Sequence, residues 1–316
     1  MVLRPATLDD AGGVADLETA RTPDEPVAGV MTAYWWTHPT EGQKSKRWVG
    51  VHNGLINVYV EGAHDAWQEG ERRFGWVQAS IHPDDWSASL YRDGIAQAES
   101  WLSSEDSEVA VATVREDFEH ELSELVELGY REERRERYWE LDLLARRNEL
   151  LATAEDTRAE MRRQGIDMLT LDRDNDPATL RKVYELDLAA TTDIPTTVPI
   201  RMSGFETWYR NYFENPGIRK DRFWIARAGD EVVGMSLIEY PPERGVPATE
   251  FTGVSPKHRG RGIARALKYE TVAQAIELGA TRLRTDNDSA NAPILHINAE
   301  MGYQPLRPYI ELHRAL

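Results

Sequence analysis

The sequence contains no cysteine and no long apolar run. Without cysteine, the 316-residue chain cannot form disulfides, cysteine-based zinc sites or a thiol nucleophile. Its histidines show no spacing typical of metal ligands, so we expect no metal. No apolar stretch approaches the roughly 20 residues of a membrane-spanning helix, and the first six residues lack the apolar region of a signal peptide. We therefore expect a cytoplasmic protein with no membrane partner.

Positive charge is also in short supply. The chain has 37 Lys and Arg against 54 Asp and Glu, a net charge of -17 at pH 7. This balance argues against a nucleic acid partner, because nucleic acid binding depends on neutralising phosphates. It also makes one local group of basic residues conspicuous. The members of this group lie within residues 257–265 and are Lys257, His258, Arg259, Arg261 and Arg265.

This basic group stands between a predicted strand and a predicted helix. The strand is the apolar, β-capable stretch that ends at Ser255-Pro256. In a helix, Gly260 and Gly262 would each cost about 1 kcal/mol relative to Ala. Positive side chains at a helix start also oppose the helix macrodipole. A bound anion would account for both features, because glycines let backbone N–H groups approach phosphate oxygens. The stretch therefore predicts a strand, turn and helix that bind a pyrophosphate.

The turn and the residues after it resemble the GNAT superfamily of N-acetyltransferases. The family signature Arg/Gln-x-x-Gly-x-Gly/Ala is matched here, and Asn291 with Met301-Gly302-Tyr303 resembles the family's ending. The chain is also similar to the tandem GNAT proteins of actinobacterial type, with a mycothiol-synthase-like architecture. The resemblance implies acetyl-CoA as cofactor. The residues that it implies as cofactor-binding are Thr252, Val254, Arg259, Gly260, Arg261, Gly262, Ile263, Ala264 and Asn291.

Both halves of the sequence predict one order of elements. This order is a strand, two helices, three strands of antiparallel type, a helix, a strand, a helix and a strand. We predict an α/β (α+β) protein of two tandem GNAT folds, each with a mixed, mostly antiparallel central sheet flanked by helices. The predicted boundaries are 1–148 for the first domain, 149–165 for a connecting helix and 166–316 for the catalytic domain. The connecting segment is rich in charge and shows no strong apolar stripe, as in a linker.

The first half lacks the features of the phosphate turn. Trp86 occupies the place of the arginine, Ser87 and Ser89 occupy the places of the glycines, and Asp84 and Asp85 precede them. A phosphate would meet negative charge there instead of amides and an arginine. We therefore predict a degenerate first domain that does not bind CoA and is structural or forms a wall of the acceptor pocket.

Amine attack on a thioester requires a polarised carbonyl and a base. By resemblance, the backbone N–H of Val254 polarises the carbonyl. A β-bulge at Gly253 would free that N–H, and a simple twist of the strand explains the glycine equally well. Glu250 is the candidate base, and strand alternation places it on one face with Thr252 and Val254. Glu239 and Asp193 are the reserve candidates.

The acid departs from the family pattern. Many family members carry a tyrosine seven residues after the asparagine, where this chain has Asn298. Asn298 can donate a hydrogen bond to the leaving sulfur but cannot deliver a proton. Tyr303, Tyr309 and water remain open as proton donors.

We predict an acetyl-CoA-dependent N-acetyltransferase that moves an acetyl group by direct transfer to a primary amine of a small molecule, such as an antibiotic, an amino sugar or a thiol precursor. A non-catalytic acyl-CoA-binding or regulatory protein is the alternative. A dinucleotide-binding oxidoreductase is a third hypothesis, but the third glycine is missing and the preceding strands form hairpins. The protein is expected to be a monomer or a homodimer.

Overall fold

The computed structural model describes residues 2–174, 176–192, 196–288 and 291–316. The strands of the first half are β1 (Leu3–Pro5), β2 (Lys44–His52), β3 (Leu55–His64), β4 (Phe74–Ile81), β5 (Val109–Arg115) and β6 (Arg131–Asp142). Its helices are α1 (Ala11–Arg21), α2 (Gly29–Thr37), α3 (Ala88–Ser104) and α4 (Glu119–Glu127). Helix α5 (Arg147–Arg163) then leads into the second half.

The second half repeats this order. Its helices are α6 (Thr179–Thr191), α7 (Phe205–Phe213), α8 (Ile263–Glu277) and α9 (Ala292–Met301). Its strands are β7 (Asp167–Thr170), β8 (Phe223–Ala228), β9 (Glu231–Glu239), β10 (Ala248–Val254), β11 (Arg282–Asp288), β12 (Gln304–Pro305) and β13 (Tyr309–Ala315). The predicted fold class, a mixed and mostly antiparallel sheet flanked by helices, is confirmed.

The hairpin between β2 and β3 shows how local sequence sets local structure. Asn53 and Gly54 have φ angles of 52° and 81°, and His52 pairs with Leu55 across the turn. Such a two-residue turn needs positive φ at both positions, which Asn-Gly adopts most readily. Asn-Gly between two β-capable stretches predicts a hairpin from the sequence, and the structure has this hairpin.

One sheet runs through both halves of the chain. Its strand order is β1-β2-β3-β4-β5-β13-β6-β11-β10-β9-β8-β7, and β12 also pairs with β6. The last strand of the chain, β13, therefore lies in the first half between β5 and β6, where Ile310 is opposite both Val114 and Arg135. In turn, β6 borders β11 of the second half, with Trp139 opposite Thr285. The two halves thus exchange strands at the centre of the sheet.

Strand β6 begins earlier than the sequence predicts. The stretch Tyr138-Trp-Glu-Leu-Asp-Leu143 predicts a strand from Tyr138 to Leu143. The strand begins at Arg131 because β13 and β11 hydrogen-bond its two edges. Its charged side chains find partners on the neighbouring strands, as when Arg134 Nε donates to Asp288 Oδ2 at 2.7 Å. Pairing with distant strands therefore overrides the local composition.

Helix α5 is more than a linker. Contrary to our expectation, it has a buried stripe formed by Leu150, Ala154, Thr157 and Met161. The helix packs against α8, and Arg158 Nε donates to the buried Glu270 Oε1 at 2.6 Å. The predicted domain boundaries stay a prediction, but α5 is part of the packed structure.

The sheet of the second half has a core on each face. On one face, β8 and β9 pack against α6 and α7 around Val183, Trp208 and Phe223. On the other face, α5, α8 and α9 cover the sheet around Leu267, Val272 and Met301. These helices position the candidate site.

Among the described residues, no helix is both long enough and apolar enough to cross a membrane.

Candidate active site

The turn between β10 and α8 has a backbone shape that depends on two glycines. Gly260 and Gly262 have φ angles of 75° and 81°, in the left-handed region that residues with a Cβ rarely adopt. A Cβ on Gly260 would meet no atom within 4 Å, so the glycine serves the conformation and not close packing. Helix α8 begins directly after Gly262, and its first N–H groups have no partner within the helix. The turn therefore presents backbone donors at the positive end of a helix dipole.

The arginines of the turn have different surroundings. Arg261 is tied to the end of α5: its Nε and Nη2 donate to the side-chain and backbone oxygens of Gln164, each at 3.3 Å. Its Nη1 also lies 3.0 Å from Nδ1 of His258. Arg261 would have to leave these partners to meet the phosphate predicted for it. Arg259 Nε donates to the Val254 carbonyl oxygen at 3.3 Å, which places its guanidinium beside the end of β10.

Strands β10 and β11 diverge to leave a gap between them. They pair in parallel at Ala248 and Arg284, and Thr285 Oγ1 donates to the Thr249 carbonyl at 3.3 Å. The other edge of β10 remains paired with β9 as far as Val254. Ser255 N donates to Val233 O on β9 at 2.9 Å. Because successive N–H groups of a strand point to opposite edges, the N–H of Val254 points into the gap.

The bulge in β10 lies at Glu250 and not at Gly253. The register of β10 against β9 shifts between Thr249 and Phe251, whereas Gly253 is in register opposite Met235. Gly253 is instead a site of close packing, because a Cβ there would come within 2.8 Å of Ala190 Cβ on α6. The hypothesis of a bulge at Gly253 is therefore wrong, and Val254 needs none to direct its N–H into the gap.

The bulge also changes the face on which Glu250 lies. Thr252 and Val254 face α8: Thr252 Oγ1 is 2.8 Å from Ser236 Oγ, and Val254 packs in the core below α8. Glu250 faces α7, where its charge acts on the phenol of Tyr212. The predicted common face is therefore wrong. Because the bulge adds a residue before Phe251, Glu250 and Thr252 lie on opposite sides of the strand.

The surroundings of Glu250 favour the protonated form of its carboxyl group near neutral pH. The side chain is accessible to solvent, yet the surrounding protein leaves it less hydrated than a surface carboxylate. This burial, together with the charges of Glu239 and Asp286, raises the pKa of Glu250 to about 8. Burial also raises the pKa of Glu239, whose Oε2 accepts a hydrogen bond from Asn215 Nδ2 at 2.9 Å. The reserve candidate Asp193 lies outside the described residues.

A cavity of about 270 Å³ lies between the two halves, and Glu239 is one of its lining residues. The second half contributes β10 and β11 with Glu239, Thr285 and Asp286. The first half contributes Trp35 on α2, which is 48% exposed, and the segment before that helix. The remaining lining residues are Glu25, Pro26, Val27, Ala28, Met31, Tyr138, Pro241, Gly245, Val246, Ala248 and Arg284. The first half thus forms a wall of the cavity.

The two predicted asparagines have structural positions. Asn291 is the residue before α9, and its backbone oxygen accepts from Leu295 N at 3.2 Å. Asn298 is fully buried, and its Nδ2 donates to Asn287 Oδ1 at 2.6 Å. Its amide is directed to Asn287, so a hydrogen bond to a leaving sulfur would require it to give up this partner.

Lys268 was not predicted as a site residue. It lies on α8 with 1% of its surface exposed, and its Nζ is 5.2 Å from the ring centroid of Tyr303. Burial lowers the pKa of Lys268 to about 7, against the opposing charge of Asp286. Its sequence signal is a lysine between Leu267 and Tyr269, inside the apolar stripe that predicts the buried face of α8.

The corresponding turn of the first half is closed by side chains. Ser87 Oγ accepts from Leu90 N at 3.3 Å and so caps α3. The carboxylate of Asp85 is held by Asn57 and by His52 Nδ1 at 3.2 Å. Trp86 packs against the ring of His120, with 5.0 Å between ring centroids. A side chain therefore caps the start of α3 in the first half, whereas the start of α8 after the glycine turn has no side-chain cap.

Comparison with known proteins shows similarity to acetyltransferases in the second half of the chain. Residues 180–303 match the model of the Acetyltransferase (GNAT) family. An acetyltransferase of Sodalis glossinidius (strain morsitans) is 35% identical over 85 residues, which cover 26% of this chain and 58% of that relative's length.

Solved structures show the same fold over nearly the whole chain. A tandem GNAT protein from the clavulanic acid biosynthesis pathway is 17% identical with a TM-score of 0.74, covering 99% of this chain and 98% of that one. A GCN5-related N-acetyltransferase from Sphaerobacter thermophilus is 19% identical with a TM-score of 0.67, covering 99% and 95%. Residues 180–303 are therefore similar to the GNAT acetyltransferase family, and the chain has the fold of a tandem GNAT protein.

Proposed function

We propose that this protein is an acetyl-CoA-dependent N-acetyltransferase that moves an acetyl group directly to a primary amine of a small molecule. The observation that carries the proposal is the gap between β10 and β11. It joins the glycine turn at one end to the carboxylate of Glu250 at the other. An anion-binding turn, an open N–H group and a base along one strand are the parts that acyl transfer to an amine needs.

The residues of the turn fit a diphosphate. The left-handed glycines precede the backbone N–H groups of Ile263 and Ala264 at a helix start that has no side-chain cap, and Arg259 adds positive charge at the end of β10. When bound, acetyl-CoA supplies the activated acetyl group. Val254 donates its N–H to the carbonyl oxygen of that group and stabilises the negative charge that develops there. Glu250 accepts the proton of the amine, directly or through a water molecule.

The cavity between the halves supports a positively charged amine as acceptor. Glu25, Glu239 and Asp286 line it, and the one lining arginine, Arg284, is paired with Glu25 at 3.2 Å and with Glu140 at 2.8 Å. The carboxylates attract an ammonium group, and its charge in turn favours the ionised form of Glu250. Binding of the cationic amine therefore lowers the pKa of Glu250, the base that removes its proton.

One observation favours the alternative of a non-catalytic acyl-CoA-binding protein. Asn298 stands in the place of the family's tyrosine and donates its amide to Asn287, so it supplies no proton. Acetyl-CoA binding without turnover across a broad panel of amines would support this alternative. Release of free thiol with one amine would support the transferase.

The glycine turn gives a direct test by calorimetry with acetyl-CoA. We expect Gly262→Asp to weaken binding at least tenfold, because a carboxylate would face the diphosphate. Aspartate tolerates the left-handed backbone better than most residues, so the variant should fold. The matched control is Gly279→Asp, since Gly279 ends the same helix with a φ of 83°. Equal affinity of the two variants would refute the diphosphate site.

A further inference from the structure

Trp35 is a large aromatic side chain that the fold leaves open to solvent. It is 48% exposed and lines the cavity between the two halves. The structure describes all ten tryptophans of the chain, and the others are buried or half-buried. A tryptophan exposed at a concave surface provides apolar area that a ligand can bury, and aromatic side chains commonly line ligand pockets.

Trp35 belongs to an apolar wall of this cavity. Ala28, Met31 and Trp35 follow one another at intervals of three and four residues, so α2 and the residue before it present them on one face. The other apolar lining residues nearby are Pro26, Val27, Pro241 and Val246. Glu25, the carboxylate on this side, already accepts a hydrogen bond from Tyr309 Oη at 2.6 Å. The wall therefore suits an apolar body better than hydroxyl groups, which would lose hydrogen bonds to water there.

The opposite side of the cavity carries negative charge. Glu239 at the end of β9 and Asp286 on β11 line it, and the charges of both act on Glu250. Among the described residues, no other side chain hydrogen-bonds to the Asp286 carboxylate, so it can accept an N–H group of a ligand. An ammonium group held by these carboxylates is also within electrostatic range of Glu250, the proposed base.

The apolar wall is held in place by contacts between the halves. Tyr34 Oη on α2 donates to the Asn211 carbonyl oxygen on α7 at 2.7 Å. Arg244, in the connection between β9 and β10, donates from Nη2 to Asp16 Oδ1 on α1 at 2.6 Å and from Nε to the Val27 carbonyl oxygen. Because these bonds already position the wall, a ligand that packs on it has less ordering to impose.

We propose that the acceptor is a primary amine joined by a short chain to an apolar ring, and that Trp35 selects it by packing on that ring; this rests on the proposed function. The ammonium end meets Glu239 and Asp286, and the ring lies against Trp35 and Met31. The volume of about 270 Å³ is near the lower end of ligand pockets, which span roughly 300–1,000 Å³. The cavity therefore suits a body of one ring.

The test measures thiol release from acetyl-CoA with 2-phenylethylamine, ethylamine, glucosamine and putrescine. Ethylamine has the reacting end of phenylethylamine without the ring, glucosamine brings hydroxyl groups, and putrescine offers a second ammonium group to the face of Trp35. We expect kcat/KM for phenylethylamine to be higher than for each of the others by about tenfold or more, because only its ring is buried against the wall.

Variants assign this preference to Trp35. Trp35→Ala should raise KM for phenylethylamine about tenfold, with kcat within about twofold and with ethylamine unaffected. Trp35→Phe should keep most of the preference, because it retains an aromatic face. The matched control is Trp36→Ala, since Trp36 is outside the cavity lining and stacks on Tyr59 with 5.8 Å between ring centroids. This control should leave both KM values unchanged.

The outcomes separate this inference from the proposed function. Equal or faster turnover of ethylamine, glucosamine or putrescine overturns the inference and leaves the transferase in place. So does an unchanged KM for phenylethylamine in Trp35→Ala, or an equal rise in KM for ethylamine. Absence of thiol release with every amine of a broad panel overturns the proposed function, and the inference with it.

Discussion

At the scale of single residues, Glu250 combines a side chain accessible to solvent with a raised pKa. A carboxylate that titrates at about 8 is mostly protonated at pH 7. It can accept a proton only after it has lost its own, so activity should rise as the pH rises through this value. General bases work best when their pKa lies near the working pH, and Glu250 meets that condition through its surroundings.

We therefore predict the pH dependence of two matched variants with the amine that a panel identifies. Glu250→Gln should lower kcat/KM by roughly 10²-fold and remove the rise near pH 8, with acetyl-CoA affinity unchanged. Glu239→Gln removes a like charge near Glu250 and should move the rise to lower pH. If Glu250→Gln keeps the wild-type rate and profile, Glu250 is not the base and Glu239 becomes the next candidate.

At the scale of elements, the glycine turn and β13 are held by distant parts of the chain. The turn is fixed to the end of α5 through Arg261 and Gln164. Strand β13 completes the core of the first half, since Leu312 is 2% exposed and packs in the cluster that contains Val114 and Leu125. Residues of β13 therefore help to stabilise the core of the first half.

This placement of β13 predicts a large loss of stability from a change near the C-terminus. Leu312→Ala should lower the free energy of unfolding by about 2–5 kcal/mol, because it leaves a cavity in the first-half core. Leu316→Ala is the control, since Leu316 is 39% exposed, and it should change stability by less than about 0.5 kcal/mol. Urea unfolding followed by circular dichroism measures both. Similar small effects would show that β13 does not pack in that core.

At the scale of the whole molecule, the two halves have diverged in their charges. The first half has a cavity of about 300 Å³ where β4 and β5 part, which is lined by ion-paired side chains. Arg21 Nη2 lies 2.7 Å from Glu121 Oε1, and Arg115 Nε lies 2.7 Å from Asp117 Oδ1. Together with the capped start of α3, this arrangement leaves the diphosphate features to the second half.

We predict that one CoA binds per chain, measured as the stoichiometry of a calorimetric titration. Ser87→Asp in the first half should leave affinity and stoichiometry unchanged, because aspartate also caps a helix and no diphosphate contacts it. Gly262→Asp in the second half should remove the single binding event. Saturation at two equivalents, or a loss of binding in Ser87→Asp, would contradict a degenerate first half.

The sequence by itself determined what depends on neighbouring residues. The order of elements, the Asn53-Gly54 hairpin and the glycine turn follow from propensities and from φ angles that few residue types adopt. The acidic balance and the family resemblance also come from the sequence alone. These features gave the fold class and the position of the turn.

Only the tertiary structure decided which distant groups meet. It placed β13 between β5 and β6, the bulge at Glu250, Arg261 on Gln164 and Lys268 under Tyr303. The backbone groups at a strand edge can hydrogen-bond to many different strands. A long side chain can likewise contact any of several groups that folding brings near it. Such choices depend on the relative energies of contacts between segments far apart in the chain, which no local pattern contains.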